Sequence, residues 1–182
     1  MLAKVPLCAM VVALLLCGCA TTEREAARAG VQIQRDKFSS VITVVGPTDS
    51  LNPYGGTYRE WFLKSRVDKK THTVVTQLYV DISYAGRGWR RYGMAADETA
   101  TGLLVDKIGS QVKMCFGSGV CTRDELVRVE LDDGRLKSRA QDGYAIKLSA
   151  KSGPGFTVTV SPAQIQAQLT TLAKLGALSG TA

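Results

Sequence analysis

Val74, Thr76, Leu78, Val80, Ile82 and Tyr84 alternate with Val75, Gln77, Tyr79, Asp81 and Ser83. A period of two sends one set to each face of a strand, so this run reads as a half-buried antiparallel strand with its apolar face on a core. A chain built around such a strand needs a sheet beside it and a second layer over its apolar face.

Other segments repeat the pattern. Val31, Ile33 and Val41–Val45 are rich in β-branched residues and stop at Gly46-Pro47. Pro47 to Gly56, with Asn52-Pro53 and Gly55-Gly56, reads as a loop. Thr57 to Val67 reads as a strand with Trp61, Leu63 and Val67 on one face, and Asp68-Lys69-Lys70 as a charged turn. Gly86-Arg87-Gly88 then turns the chain into Trp89–Ala95, which predicts a three-strand meander from Thr57 to Ala95.

Strands are also expected at Gly102–Ile108, Gln111–Phe116 and Val120–Leu131, with a turn at Asp132-Asp133-Gly134. Tyr144–Leu148 and Phe156–Val160 flank Ser152-Gly153-Pro154-Gly155 and predict a hairpin. Ser161 as N-cap, Pro162 at the first helical position and the stripe Ile165, Leu169, Leu172 predict a helix over 162–175, ended by Gly176. The expected fold is mainly β: an antiparallel β-sandwich or barrel-like domain over residues 31–176 with a C-terminal α-helix, followed by a frayed tail at 177–182.

The N-terminus has another character. Lys4 is followed by an almost wholly apolar run from Val5 to Leu16, too short for a transmembrane helix and of the right length for a signal peptide. The run ends in Leu16-Cys17-Gly18-Cys19, which resembles the lipobox of bacterial lipoproteins: Leu, a small residue, Gly or Ala, then the modified Cys.

The resemblance implies removal of residues 1–18, lipidation of Cys19 and anchoring to a membrane. Several acyl chains would make that anchor near-permanent, since each buried CH₂ adds about 0.8 kcal/mol. Residue 20 is Ala and not Asp, which in lipoproteins of double-membrane bacteria resembles the signal for transfer to the outer membrane, so the domain is expected to face the periplasm from it. An ordinary cleaved signal with a free Cys19 thiol is the alternative. Residues 19–30 are then a tether. Thr22-Glu23-Arg24-Glu25 offers a capping box for a short helix within it. Fully extended, Ala20–Gly30 spans at most about 40 Å, which keeps the domain near the bilayer.

Losing Lys4 takes the net charge from +7 to +6. That suits an anionic lipid or polymer neighbour, and a basic domain with no anionic partner is the equal alternative. Cys8 and Cys17 leave with the signal and Cys19 is lipidated, so Cys115 and Cys121 remain as a pair in an oxidising compartment. Gly117-Ser118-Gly119 between them is turn chemistry, and a hairpin would bring the sulfurs face to face. Two free thiols are the other option. A zinc site would need four ligands, and His72, placed on the surface beside Lys69 and Lys70, is the single histidine.

No cofactor motif, metal-ligand spacing, phosphate loop, nucleic-acid signature or nucleophile elbow is legible, and no catalytic residue is named. The pairs Asp97-Glu98, Asp124-Glu125 and Asp132-Asp133 read as solvated turns, because neighbours on a strand face opposite ways. Tyr84, Arg87, Trp89, Arg90, Arg91 and Tyr92 crowd one expected hairpin tip and form a candidate interaction surface. The competing assignment puts Tyr84 and Trp89 in the core and leaves the arginines solvated.

Two functions stay open. One is a membrane-anchored lipoprotein that binds or assembles an envelope protein or glycan without catalysis. The other is an envelope hydrolase whose carboxylates converge only in the fold.

Overall fold

The structure, a computed structural model, describes residues 30–52 and 56–177. The expectations for the signal peptide at 1–18, for Cys19, for the tether and for the tail therefore lie outside the described residues, apart from Gly30 and Ala177.

In chain order the elements are β1 (Gln32–Arg35), β2 (Val41–Val45), β3 (Asp49–Leu51), β4 (Tyr58–Asp68), β5 (Val74–Gly86), β6 (Tyr92–Asp97), β7 (Gly102–Leu103), β8 (Val105–Cys115), β9 (Cys121–Leu131), α1 (Asp133–Ser138), β10 (Tyr144–Ala150), β11 (Phe156–Val160) and α2 (Pro162–Lys174). They form two antiparallel sheets. The large one runs β1-β2-β4-β5-β9-β8, with β3 also paired to β4, and the small one runs β11-β10-β6-β7. The class is the sandwich expected from the alternating strands.

The alternating run becomes β5, the centre of the large sheet. Its Leu78, Val80, Ile82 and Tyr84 join Trp61 and Leu63 of β4 and Val127, Val129 and Leu131 of β9 on the inner face. Tyr92, Tyr144, Ile146, Leu148, Phe156, Val158 and Val160 meet them from the small sheet. The Trp61 indole N–H donates to Thr159 O at 3.1 Å, a direct bond between the layers. The small sheet leaves the β2 side uncovered, and α2 fills that space, with Leu172 against Val44 and Val67. Among the described residues, both apolar clusters are drawn from 31–177.

Helix α2 starts where its caps place it. The Ser161 hydroxyl accepts the N–H of Gln164, and the Gln164 side chain accepts the N–H of Ser161. Its inner face is less apolar than the Leu stripe suggests. Gln164 and Gln168 are buried, and Gln168 Nε2 donates to Val44 O at 3.2 Å and to Ser65 Oγ at 2.7 Å. Helix and sheet approach so closely there that a Cβ on Gly46 would lie 2.8 Å from Gln168 Oε1.

Three local expectations fail. The meander from Thr57 to Ala95 stops after two strands: β5 pairs with β4 and β9, while β6 belongs to the small sheet and pairs with β10 and β7. Residues 87–91 thus cross between layers and are no hairpin turn. The stretch Asp132-Asp133-Gly134 opens α1, whose N-cap Asp132 accepts the N–H of Arg135 at 2.8 Å. The loop Pro47–Gly56 contains β3, which extends the pairing of β4 beyond β2.

Candidate functional site

The crossover is built around one carboxylate. Glu125, on the inner face of β9, is 1% exposed. Its Oε1 accepts the backbone N–H groups of Arg90 and Arg91, each at 3.0 Å, and Oε2 accepts that of Tyr92 at 3.2 Å. The Tyr84 hydroxyl donates to Oε1 and accepts the Arg90 N–H at 2.8 Å. Burial, then this bond, pushes the Tyr84 hydroxyl up to about 12. Arg91 takes φ +58°, which turns its N–H toward Glu125 at the cost of a conformation unusual for a side-chain-bearing residue. The carbonyls of Arg90 and Arg91 are taken by Ser152 N and Lys151 N.

These bonds distribute the sequence-predicted surface. Tyr84 and Tyr92 are buried in the core. Arg90 is half-buried, stacks over the Tyr84 ring at 4.2 Å and donates to Thr57 Oγ1 at 2.7 Å. Trp89 is half-buried between the Lys107 ammonium and the Arg123 guanidinium, 5.8 and 5.6 Å from its ring. Only Arg87 and Arg91 stand exposed. The six residues share one region, but as a lock between sheets with two exposed cations at its rim.

The reading of the carboxylate pairs as solvated turns is also corrected, since Asp97, Asp124 and Glu125 are buried. Asp124 and Glu125 do face opposite ways along β9. Asp124 lies on the outer face, where Lys113 Nζ sits 2.6 Å from Oδ2 and Gln111 Nε2 donates to it at 3.0 Å. Burial pushes its carboxyl up, but Lys113, Gln111 and Ser83 outweigh burial and hold it below the usual range. Neighbouring Asp81 moves the other way, raised by burial and then by the charge of Asp124. The two carboxylates border a groove of about 330 Å³ with Gly109, Ser110, Gln111 and Leu126.

Both features adjoin β8, which ends the large sheet and has no strand on its outer side among the described residues. Along it and at its ends Leu104, Ile108, Val112, Met114 and Phe116 leave 43% to 64% of their surface in solvent. The register slips at Ile108 and at Lys113. The second bulge sets Val112 opposite Arg123 on the inner side and Met114 opposite Thr122 on the outer side, so the strand is apolar on both faces. A Cys115–Cys121 disulfide closes its end, joining residues directly opposite in register, as expected from the sequence.

Sequence reasoning missed this edge. Val112, Met114 and Phe116 alternate with Gln111, Lys113 and Cys115, a pattern that marks a strand but not its place in the sheet. The outward clue is Lys113, which the bulge carries to Asp124. No family model, curated protein or solved structure matches the chain.

Proposed function

We propose that this protein is a lipid-anchored module of the bacterial envelope, held at the outer membrane through Cys19 and facing the periplasm. It acts without catalysis, binding an extended segment of an envelope protein along β8. The observation that carries this reading is the β8 edge. A free strand edge offers a row of backbone donors and acceptors, and an added strand satisfies them while its side chains cover the apolar groups on both faces. Several large apolar side chains exposed along one edge strand favour an interaction site there. The lock at Glu125, opposite Ser110, and the disulfide at Cys115 hold the middle and one end of the edge in place, which lowers the ordering cost of binding.

A photo-crosslinking residue at Met114 in living cells tests the reading. A discrete adduct is expected from position 114 and none from exposed Thr170 on α2. Ile108→Lys, which places a charge on the edge, should abolish it. An adduct indifferent to Ile108→Lys, or none at all, would contradict strand addition.

The opposite shifts of Asp81 and Asp124 beside a groove favour a second reading, an envelope hydrolase, because paired carboxyls with divergent affinities for a proton are what acid–base hydrolysis uses. Hydrolysis of an envelope glycan by the purified protein, lost in Asp81→Asn, would establish that activity.

A further inference from the structure

The end of the sandwich away from the disulfide carries another exposed group. There the β1–β2 and β4–β5 turns lie side by side, with Val41 opposite Asp68. Asp36 Oδ1 accepts the N–H of Phe38 at 2.8 Å, and Asp36 O accepts that of Ser39 at 3.3 Å. From the neighbouring turn Lys69 Nζ donates to Asp36 O at 2.7 Å and to Ser39 O at 2.5 Å, and Lys69 N donates to Ser40 O at 2.9 Å.

The turn so fixed presents Phe38 with 86% of its surface in solvent, touched by the Lys37 ammonium at 4.9 Å from the ring. Arg35, Lys37, Lys69 and Lys70 are exposed around it. The acids within the corner serve its own backbone, Asp36 as above and Asp68 by accepting Lys70 N and Thr71 N, each at 2.8 Å.

We infer that this corner is a second contact with the membrane. Phe38 enters the interfacial layer of an anionic bilayer, and Arg35, Lys37 and Lys70 meet the headgroup phosphates, while the Lys69 ammonium holds the turn. The inference rests on the reading of the chain as lipid-held, which names the surface.

Three observations select a bilayer as occupant. A projecting ring ringed by cations matches the apolar interior and negative surface of a lipid interface. Gly30 stands eight residues from Phe38, and the eleven residues Ala20–Gly30 reach up to about 40 Å, so a Cys19 anchor leaves this corner within reach of its membrane. With the corner down, the disulfide end of the sheet stands about 40 Å away, the length of thirteen-residue β5, and β8 is free for a partner. Asp132 and Asp133 follow β9 at the same end, and their charge confines the contact to the β1–β2 side.

The test uses the chain from Ala20 to Ala182, which holds every described residue of both apolar clusters, and vesicles of phosphatidylglycerol with phosphatidylcholine or of phosphatidylcholine alone. The protein should sediment with the anionic vesicles and far less with the neutral ones. Phe38→Ser should weaken anionic-vesicle binding about tenfold. Lys37→Glu with Lys70→Glu should weaken it comparably, and added salt should weaken the parent. Phe116→Ser should leave it unchanged, and near-ultraviolet circular dichroism should match the parent for each variant.

Parent-like binding by both corner variants, or no preference for anionic vesicles, would overturn the inference, and so would a loss that follows Phe116→Ser instead. The anchor is read separately, from the mass of Cys19 in protein taken from cells. An unmodified Cys19 therefore contradicts the lipid anchor without altering the vesicle result.

Discussion

The carboxylate of Glu125 on β9 accepts the backbone N–H of Arg91 at 3.0 Å, although the two residues are 34 positions apart. Through this bond and its neighbours the chain leaves one sheet after β5 and enters the other at β6. Removing the carboxylate strands the N–H groups of Arg91 and Tyr92 and the Tyr84 hydroxyl proton, leaving the Arg90 N–H only its bond to Tyr84. Glu125→Gln should cost about 1–3 kcal/mol of stability, because one acceptor oxygen becomes a donor facing a donor, and Glu125→Ala should cost more. Urea unfolding measures it. A midpoint unchanged in Glu125→Ala would show that the crossover is held by something else.

Asp97 gives the protein an acid-sensitive joint. The Thr99 hydroxyl donates to its Oδ1 at 2.7 Å, the N–H groups of Thr99 and Thr101 donate to it as well, and Arg135 pairs with Oδ2. The Thr99 hydroxyl leads in lowering the carboxyl to about 2, and Arg135 adds to it. A carboxyl depressed in the folded state contributes stability above its unfolded value, near 4, and loses that contribution as pH falls toward 2. Melting temperature should therefore fall more steeply between pH 4 and pH 2 in the parent than in Asp97→Asn. Parallel curves would contradict this.

Helix α2 should behave as part of the core. Ile165 and Leu172 are buried, while Leu169 is only half-buried. Leu172→Ala should cost about 2–5 kcal/mol and Leu169→Ala less. Equal losses from the two substitutions, read by urea unfolding, would show that the helix is rotated from the placement described.

What the sequence made legible follows from the range of its signals. The alternation of Val74–Tyr84, the hairpin of β10 and β11 and the Ser161-Pro162 helix start are local, and each stands where its pattern puts it. The crossover is not local. Trp89–Ala95 has the composition of a returning strand, and its departure to the other sheet depends on Glu125, which belongs to a different strand, and on the positive φ of Arg91. The edge position of β8 is invisible for the same reason, since a neighbour's absence leaves no mark within a segment. Its apolar residues resemble core until the bulge at Lys113 splits them between two faces. Burial of Asp124 and Glu125 escaped because charge alone argues for solvent, and their partners Lys113, Gln111 and Tyr84 come from β8 and β5.

The anchoring of the chain is tested most directly by the intact mass of the protein extracted from bacterial membranes, compared with Cys19→Ala. The expected result is a mature chain that begins at Cys19 and carries acyl groups on it, and a Cys19→Ala protein that leaves the membrane fraction on a salt wash. A parent chain with an unmodified Cys19 thiol, or a Cys19→Ala protein still bound after the wash, would contradict it.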